Sequence, residues 1–354
     1  MKEIRKDKTF KWGVATSSYQ IEGAHDIDGR GPSVWDVFSH TKDKVKNGDT
    51  GDIACDHYNK FSDDIKLMKD LGVDSYRFSV SWPRIFPIGT EQKINQKGMD
   101  FYDRLVDMLL ENDITPFLTL NHWDMPQGLG DLGGWTNRET IEHFIKYGHY
   151  MSRRLGDRVI NWITHNEPWC ISFLGYVEGR KPPGLKNKWA KSLHTAHHLL
   201  LSHGKVIPEI KSNVKNSKVG ITLNLNTAIP ASDSEHDKKA CDFYDAQFNR
   251  LYLDPLYKQK YPELLFDRLL EKRAIKQSWY TEELGTSDRG TRKEFPAVSD
   301  IVGTADHVII YDADDPDLPM WMKFDNNASG AMVQGLSLIH ISEPTRPRLI
   351  SYAV

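Results

Sequence analysis

The chain alternates between two hydrophobic rhythms. Short runs rich in β-branched and aromatic residues, "FKWGVATSSYQ", "SYRFSVSW", "ITPFLTL", "RVINWIT" and "KVGITLNLN", carry the pattern of strands. Between them lie segments such as "FYDRLVDMLLEN", whose apolar positions recur at helical spacing and predict amphipathic helices. The helix after Trp135 also carries a start signal, because Thr136 is followed at the third place by Glu139, ahead of the apolar Ile141, Phe144 and Ile145. The result is a βα repeat with five strand candidates.

Two α/β architectures produce such a repeat, a doubly wound sheet and an eight-stranded barrel. A doubly wound nucleotide-binding sheet places a glycine-rich phosphate loop after its first strand, and none stands here. Instead, successive strands end in polar or aromatic residues: Gln20, then Arg77 and Trp82, then His122 and Trp123, then Asn166 and Glu167, then Asn224 and Asn226. Such groups gathered at the strands' C-terminal ends are what the mouth of a barrel requires. The fold expected is therefore a (β/α)8 TIM barrel, truncated after about five βα units.

Composition restricts the partners. The 354 residues are 39% hydrophobic and 27% charged, with a formal net charge of -3. Such a chain buries a core, and its interspersed charges create no field that would select nucleic acid or an anionic membrane surface. No apolar run approaches the roughly 18 residues that a membrane span needs, and the N-terminal "MKEIRKDKTFKWG" has no apolar stretch behind its charges, so a cytoplasmic location is expected. Cys55, Cys170 and Cys241 have neither the number nor the spacing of a disulfide framework or a zinc site. No metal or cofactor is expected. Trp12, Trp35, Trp82, Trp123, Trp135 and Trp169 supply flat apolar faces, while Gln20, His122 and Asn166 supply donors and acceptors. That mixture suits a neutral, hydroxyl-bearing ring such as a sugar, although a lone buried Trp or His is more often structural.

Four stretches occur in order: "FKWGVATSSYQIEG", "YRFSVSWPRIFP", "TLNHWDMPQGL" and "WITHNEPW". Together they resemble the signatures of glycoside hydrolase family 1, over roughly Phe10 to Ile275. The resemblance implies a (β/α)8 barrel that cleaves small soluble β-glycosides with retention, as a β-glucosidase or β-galactosidase, using two glutamates. It makes Glu167 the acid/base and Arg77 the arginine that holds the nucleophile. It places Gln20, His122, Trp123 and Asn166 on the sugar, with Asn166 at the 2-hydroxyl. Asn121, where Tyr is frequent, His165, where Phe or Leu is usual, and Arg180, where His is frequent, depart from the pattern beside the chemistry. A noncatalytic sugar-binding or interaction protein, and a 6-phospho-β-glycosidase, stand as alternatives.

The family carries its nucleophile in a Glu-Asn-Gly motif on the seventh strand, and this sequence contains no Glu-Asn-Gly. On this reading residues 1–275 form the partial barrel, and the parent is an enzyme whose activity this chain lacks. Residues 276–335 are unassigned and of chimeric character, and they are expected to pack poorly against the barrel. Their acidic cluster, Asp312, Asp314, Asp315 and Asp317, lacks the Gly and terminal Glu of a calcium loop and reads as a solvated turn. Residues 336–354, "LSLIHISEPTRPRLISYAV", resemble the conceptual translation of a sequencing-library adapter.

Overall fold

The computed structural model describes residues 11–276, together with three short strands, His307–Asp312, Pro319–Lys323 and Ser337–Ile339. Five parallel strands form the body of the sheet: β1 (Trp12–Ala15), β2 (Ser75–Ser79), β3 (Thr115–Asn121), β4 (Asn161–Asn166) and β5 (Lys218–Leu225). They pair in chain order, β1 with β2 through to β4 with β5. Helices cross over between them, including His57–Leu71, Gln96–Glu111, Glu139–Leu155 and Trp189–Asn213. This is a curved parallel half-barrel. Every residue of β2 and β4 is buried, as required of parallel strands covered by helices on one side and barrel-filling side chains on the other.

The five strand candidates all appear, four of them shorter than their hydrophobic runs and the third shifted by one residue to Thr115–Asn121. The longest trim is in the first, which ends at Ala15 because Ser18–Ile21 turns into a short helix. The cap expected at Thr136 is replaced. Thr136 Oγ1 donates to the Gly133 carbonyl at 2.7 Å, and Asn137 Oδ1 accepts the Glu139 amide at 3.0 Å. The side chain two residues before the first helical amide therefore reaches it, as in an Asx turn.

Three short strands beyond residue 276 join the sheet through their backbones. β6 (His307–Asp312) pairs in parallel with β5, β7 (Pro319–Lys323) pairs antiparallel with β6, and β8 (Ser337–Ile339) pairs in parallel with β1. The reason is electrostatic and generic: β1 and β5 each present a row of amides and carbonyls on their outer side, and any extended segment can satisfy them. Asp312 ends β6, whereas Asp314, Asp315 and Asp317 lie outside the described residues.

Candidate functional site

The site is built at the C-terminal ends of β2, β3 and β4. Arg77, near the middle of β2, is buried, and its guanidinium reaches across β3. Its Nε donates to Thr119 Oγ1 on β3 at 3.1 Å, and its Nη2 donates to Asn166 Oδ1 at the end of β4. Asn166 is held from a second direction, since Trp123 Nε1 donates to its backbone carbonyl at 2.8 Å. Just before it, the β4–β5 register shifts between Ile163 and Asn166. A bulge at this point turns the strand end and re-aims the residues that follow.

Glu167 comes next and is half-buried, with its amide donating to the Thr222 carbonyl of β5 at 2.9 Å. Its backbone is in the left-handed region at φ 48°, and so is that of Trp123 at φ 74°. Non-glycine residues hold such angles only where their surroundings over-determine them, and they cluster at functional sites. Pro168 then starts a helix, Pro168–Phe173, and Glu167 sits at its N-cap. One turn on, the Cys170 thiol donates to Glu167 Oε2 at 3.1 Å. Burial pushes this thiol well above its ordinary range, so the sulfur keeps its proton and acts as a donor. Nothing in the number of cysteines or the spacing between them points to this role for Cys170. The spacing of three residues across a helix start was the available signal.

His122 lies beside Trp123, the two ring centroids 4.9 Å apart. Gln20 is half-buried on the short helix after β1 and accepts from Ser17 Oγ at 2.8 Å. Its helix is tied to the His122–Trp123 loop through Ser18 Oγ, which donates to Asp124 Oδ2 at 2.6 Å. Asp124 is a residue the sequence reading passed over. It is fully buried, and burial raises its carboxyl from 3.8 to about 7, partly opposed by the Ser18 hydrogen bond and the Arg30 charge. Glu22, two residues beyond Gln20, is ion-paired inside the core with Arg84 at 3.0 Å.

The six tryptophans separate into two groups. Trp35, Trp123 and Trp135 line one cavity, with Trp35 and Trp123 stacked at 6.4 Å and 26°. The other three are not platforms at the mouth. Trp82 is fully buried and stacked on Tyr147 at 4.9 Å. Trp169 packs on Phe173 and Phe248 and donates to Gln247. Trp12 begins β1, at the strand's opposite end. Among the fifth-strand candidates, Asn224 Nδ2 points to the Cys170 sulfur at 3.9 Å, while Asn226 is engaged with Asn249 and Tyr244.

Of the three departures from the family pattern, Arg180 is ion-paired with Glu178 at 3.0 Å, and the other two are neighbours in register, Asn121 opposite His165. Asn121 Nδ2 lies 3.0 Å from His165 Nδ1, and His165 Nε2 lies 2.8 Å from Ser202 Oγ, which donates to the Leu199 carbonyl at 2.9 Å. An amide nitrogen only donates, so His165 Nδ1 accepts and Nε2 carries the proton. Burial holds His165 well below its ordinary range, in the neutral form this chain of bonds needs. The pair locks the ends of β3 and β4, which carry His122, Trp123, Asn166 and Glu167, to each other and to the helix Trp189–Asn213.

Among the described residues there is no cluster of three or more His, Cys, Asp or Glu able to hold a metal, and no helix is long and apolar enough to cross a membrane.

Comparison with known proteins gives a consistent picture. Residues 3–296 match the family model for glycosyl hydrolase family 1. The chain is 48% identical over 284 residues to beta-glucosidase A of Acetivibrio thermocellus, covering 80% of this chain and 63% of that protein. It is 48% identical over 260 residues to the 1,4-beta-D-glucan glucohydrolase of Thermotoga neapolitana, covering 73% of this chain and 60% of that protein. It thus spans less than two thirds of the length of these relatives. Among solved structures, it is similar to the family 1 β-glucosidase of Thermotoga maritima, with a TM-score of 0.77 and 40% identity over 92% of this chain and 68% of that one. With a half-barrel whose strand ends carry these residues, and a family match that runs through most of its length, the chain belongs to glycosyl hydrolase family 1.

Proposed function

We propose that the protein whose N-terminal part this sequence covers is a retaining β-glucosidase acting on small β-glycosides, with Glu167 as its acid/base. The observation that carries this reading is the constellation at the end of β4. A carboxylate on a strained, bulge-aimed backbone stands next to an asparagine that is held by Arg77 on one side and Trp123 on the other. Relatives named as β-glucosidases support a glucoside over a galactoside. A Thermotoga maritima β-glucosidase solved in complex with glucoimidazole, 40% identical to this chain, supports a sugar-shaped glycone site.

The chemistry follows from the roles. Glu167 delivers a proton to the leaving oxygen, while an ionised partner about 5–5.5 Å away attacks the anomeric carbon. Glu167 then takes a proton from the water that releases the glycosyl-enzyme. Asn166, Gln20, His122 and Trp123 orient the ring, and Asn166 at the 2-hydroxyl strengthens its bond as the oxocarbenium-like transition state forms. The nucleophile belongs to the family's Glu-Asn-Gly motif, which this sequence lacks. Without it no covalent intermediate forms, and the two-step route is closed. The 354-residue chain is therefore expected to bind glycosides without turning them over. An assay with a chromogenic β-glucoside, with Glu167→Gln as background and a full-length relative as positive control, tests this. Turnover by the chain above that background overturns the inactive reading, and activity of the full-length reading frame surviving Glu167→Gln overturns the role of Glu167.

A further inference from the structure

The cavity bounded by Trp35, Trp123 and Trp135 has a volume of about 230 Å³. A cavity of roughly 150 Å³ holds a benzene molecule, so this one accommodates a single substituted ring. Met125, Ile171 and Tyr176 complete an apolar and aromatic wall. Two cations also face it, Lys181 and Lys191, and none of its lining residues is acidic. Lys181 Nζ is 3.5 Å from the centre of the Trp123 ring, so its charge is held against the wall by the ring's negative face. A cation fixed there, with no acidic residue in the cavity wall, favours an anionic guest, and aromatic walls favour a planar one.

The cavity is joined to the chemistry by two side chains. Cys170 lines it and donates to Glu167 Oε2 at 3.1 Å, and Trp123 lines it and donates to the Asn166 carbonyl at 2.8 Å. A ring in the cavity is thus one side chain away from the carboxylate that would protonate a leaving oxygen. We infer that this cavity binds an aromatic ring bearing a carboxylate, carried as the aglycone of a β-glycoside, with Lys181 as the residue that selects the acid. The inference rests on the acid/base reading of Glu167 only in naming the ring an aglycone.

Binding, not turnover, tests it. Calorimetric titration of the 354-residue chain would compare 4-carboxyphenyl β-glucoside with phenyl β-glucoside, benzoate with benzamide, and inorganic phosphate alone. The expected result is a preference of about fivefold for each carboxylate over its neutral partner, declining as salt is raised. Lys181→Gln should abolish that preference, so that each carboxylate and its neutral partner bind equally, with an unchanged circular-dichroism spectrum reporting an intact fold. The salt dependence in the unaltered chain gives the same answer should that variant fail to fold. Equal affinity for benzoate and benzamide overturns the proposal, as does competition by phosphate as effective as that by benzoate. If both glucosides bind equally, the pocket assignment falls and the sugar site stands. If benzoate is preferred but neither glucoside binds, the pocket stands as an aromatic-acid site and the glycosidase reading falls.

Discussion

Arg77 on β2 donates a hydrogen bond to Asn166 at the end of β4, although a whole strand lies between them. In a flat sheet those strands would be about 9.5 Å apart. The contact exists because the sheet curves, so that side chains from alternate strands meet inside it. Thr119 on the intervening strand accepts the guanidinium's Nε at 3.1 Å.

Asn166→Ala leaves the buried guanidinium one acceptor short. Hydrogen bonds to a charged group contribute roughly 1.5–3 kcal/mol, so a loss of about 2 kcal/mol is expected in urea unfolding, with the midpoint shifted and the slope unchanged. Arg77→Lys should cost a similar amount, because an ammonium does not reproduce the fork that reaches both partners. A change below about 0.5 kcal/mol in Asn166→Ala, the range typical of surface substitutions, would count against this linkage.

Gly98→Ala reverses an ordinary rule. Inside a helix the exchange usually stabilises by roughly 0.5–1 kcal/mol, and Gly98 lies within Gln96–Glu111. A methyl group there would stand 2.2 Å from the Arg84 carbonyl oxygen. Overpacking of this kind costs about 1–3 kcal/mol, so a lowered thermal midpoint is expected. A raised one would show that the helix moves away from Arg84 without penalty.

Acid should destabilise the fold. Burial holds His197 and His203 down from 6.5 to about 3, and nearby cations add to the effect at His197. The unfolded chain therefore binds more protons than the folded one between pH 3 and 6.5, and the stability present above 6.5 is lost as pH falls. His165 acts in the same direction. Asp124 acts oppositely: its carboxyl is raised from 3.8 to about 7, so its contribution weakens as pH rises through that window. His40, raised by its bonds to the Asp36 carbonyl and the Asp52 carboxylate, acts with Asp124; with three lowered histidines against these two groups, the urea midpoint should fall from pH 7 to pH 5, and His203→Asn should flatten the slope. A midpoint rising toward pH 5 would reverse the assignment.

Cys170 should resist alkylation. It is buried and its proton is retained, whereas Cys55 and Cys241 are partly exposed. Thiolate is the reactive form, so mass spectrometry after iodoacetamide treatment of the folded chain should show Cys55 and Cys241 modified well before Cys170. Equal rates would show that the thiol is not committed to Glu167.

The sequence by itself determined the strand and helix order, because two-residue and helical periodicities are local. It also determined the placement of Glu167 and Asn166 at a strand end, because the run "RVINWITHNEPW" stops at a proline that begins a helix. The family was legible for the same reason, since its motifs are contiguous. The tertiary structure alone decided which residues of one type share a site. Trp82 and Trp123 each follow a strand, yet Trp82 is stacked in the core on Tyr147 and Trp123 donates to Asn166 in the site. Their surroundings come from elements 40 or more residues away, and local pattern carries no information about those. The pairing of Asn121 with His165 needed the β3–β4 register, and the meeting of Lys181 with Trp123 needed the loops that follow β4 and β3 to come together. The strand partners of β1 and β5 were likewise undetermined by pattern, because open edge amides and carbonyls accept any extended backbone and so do not select a sequence.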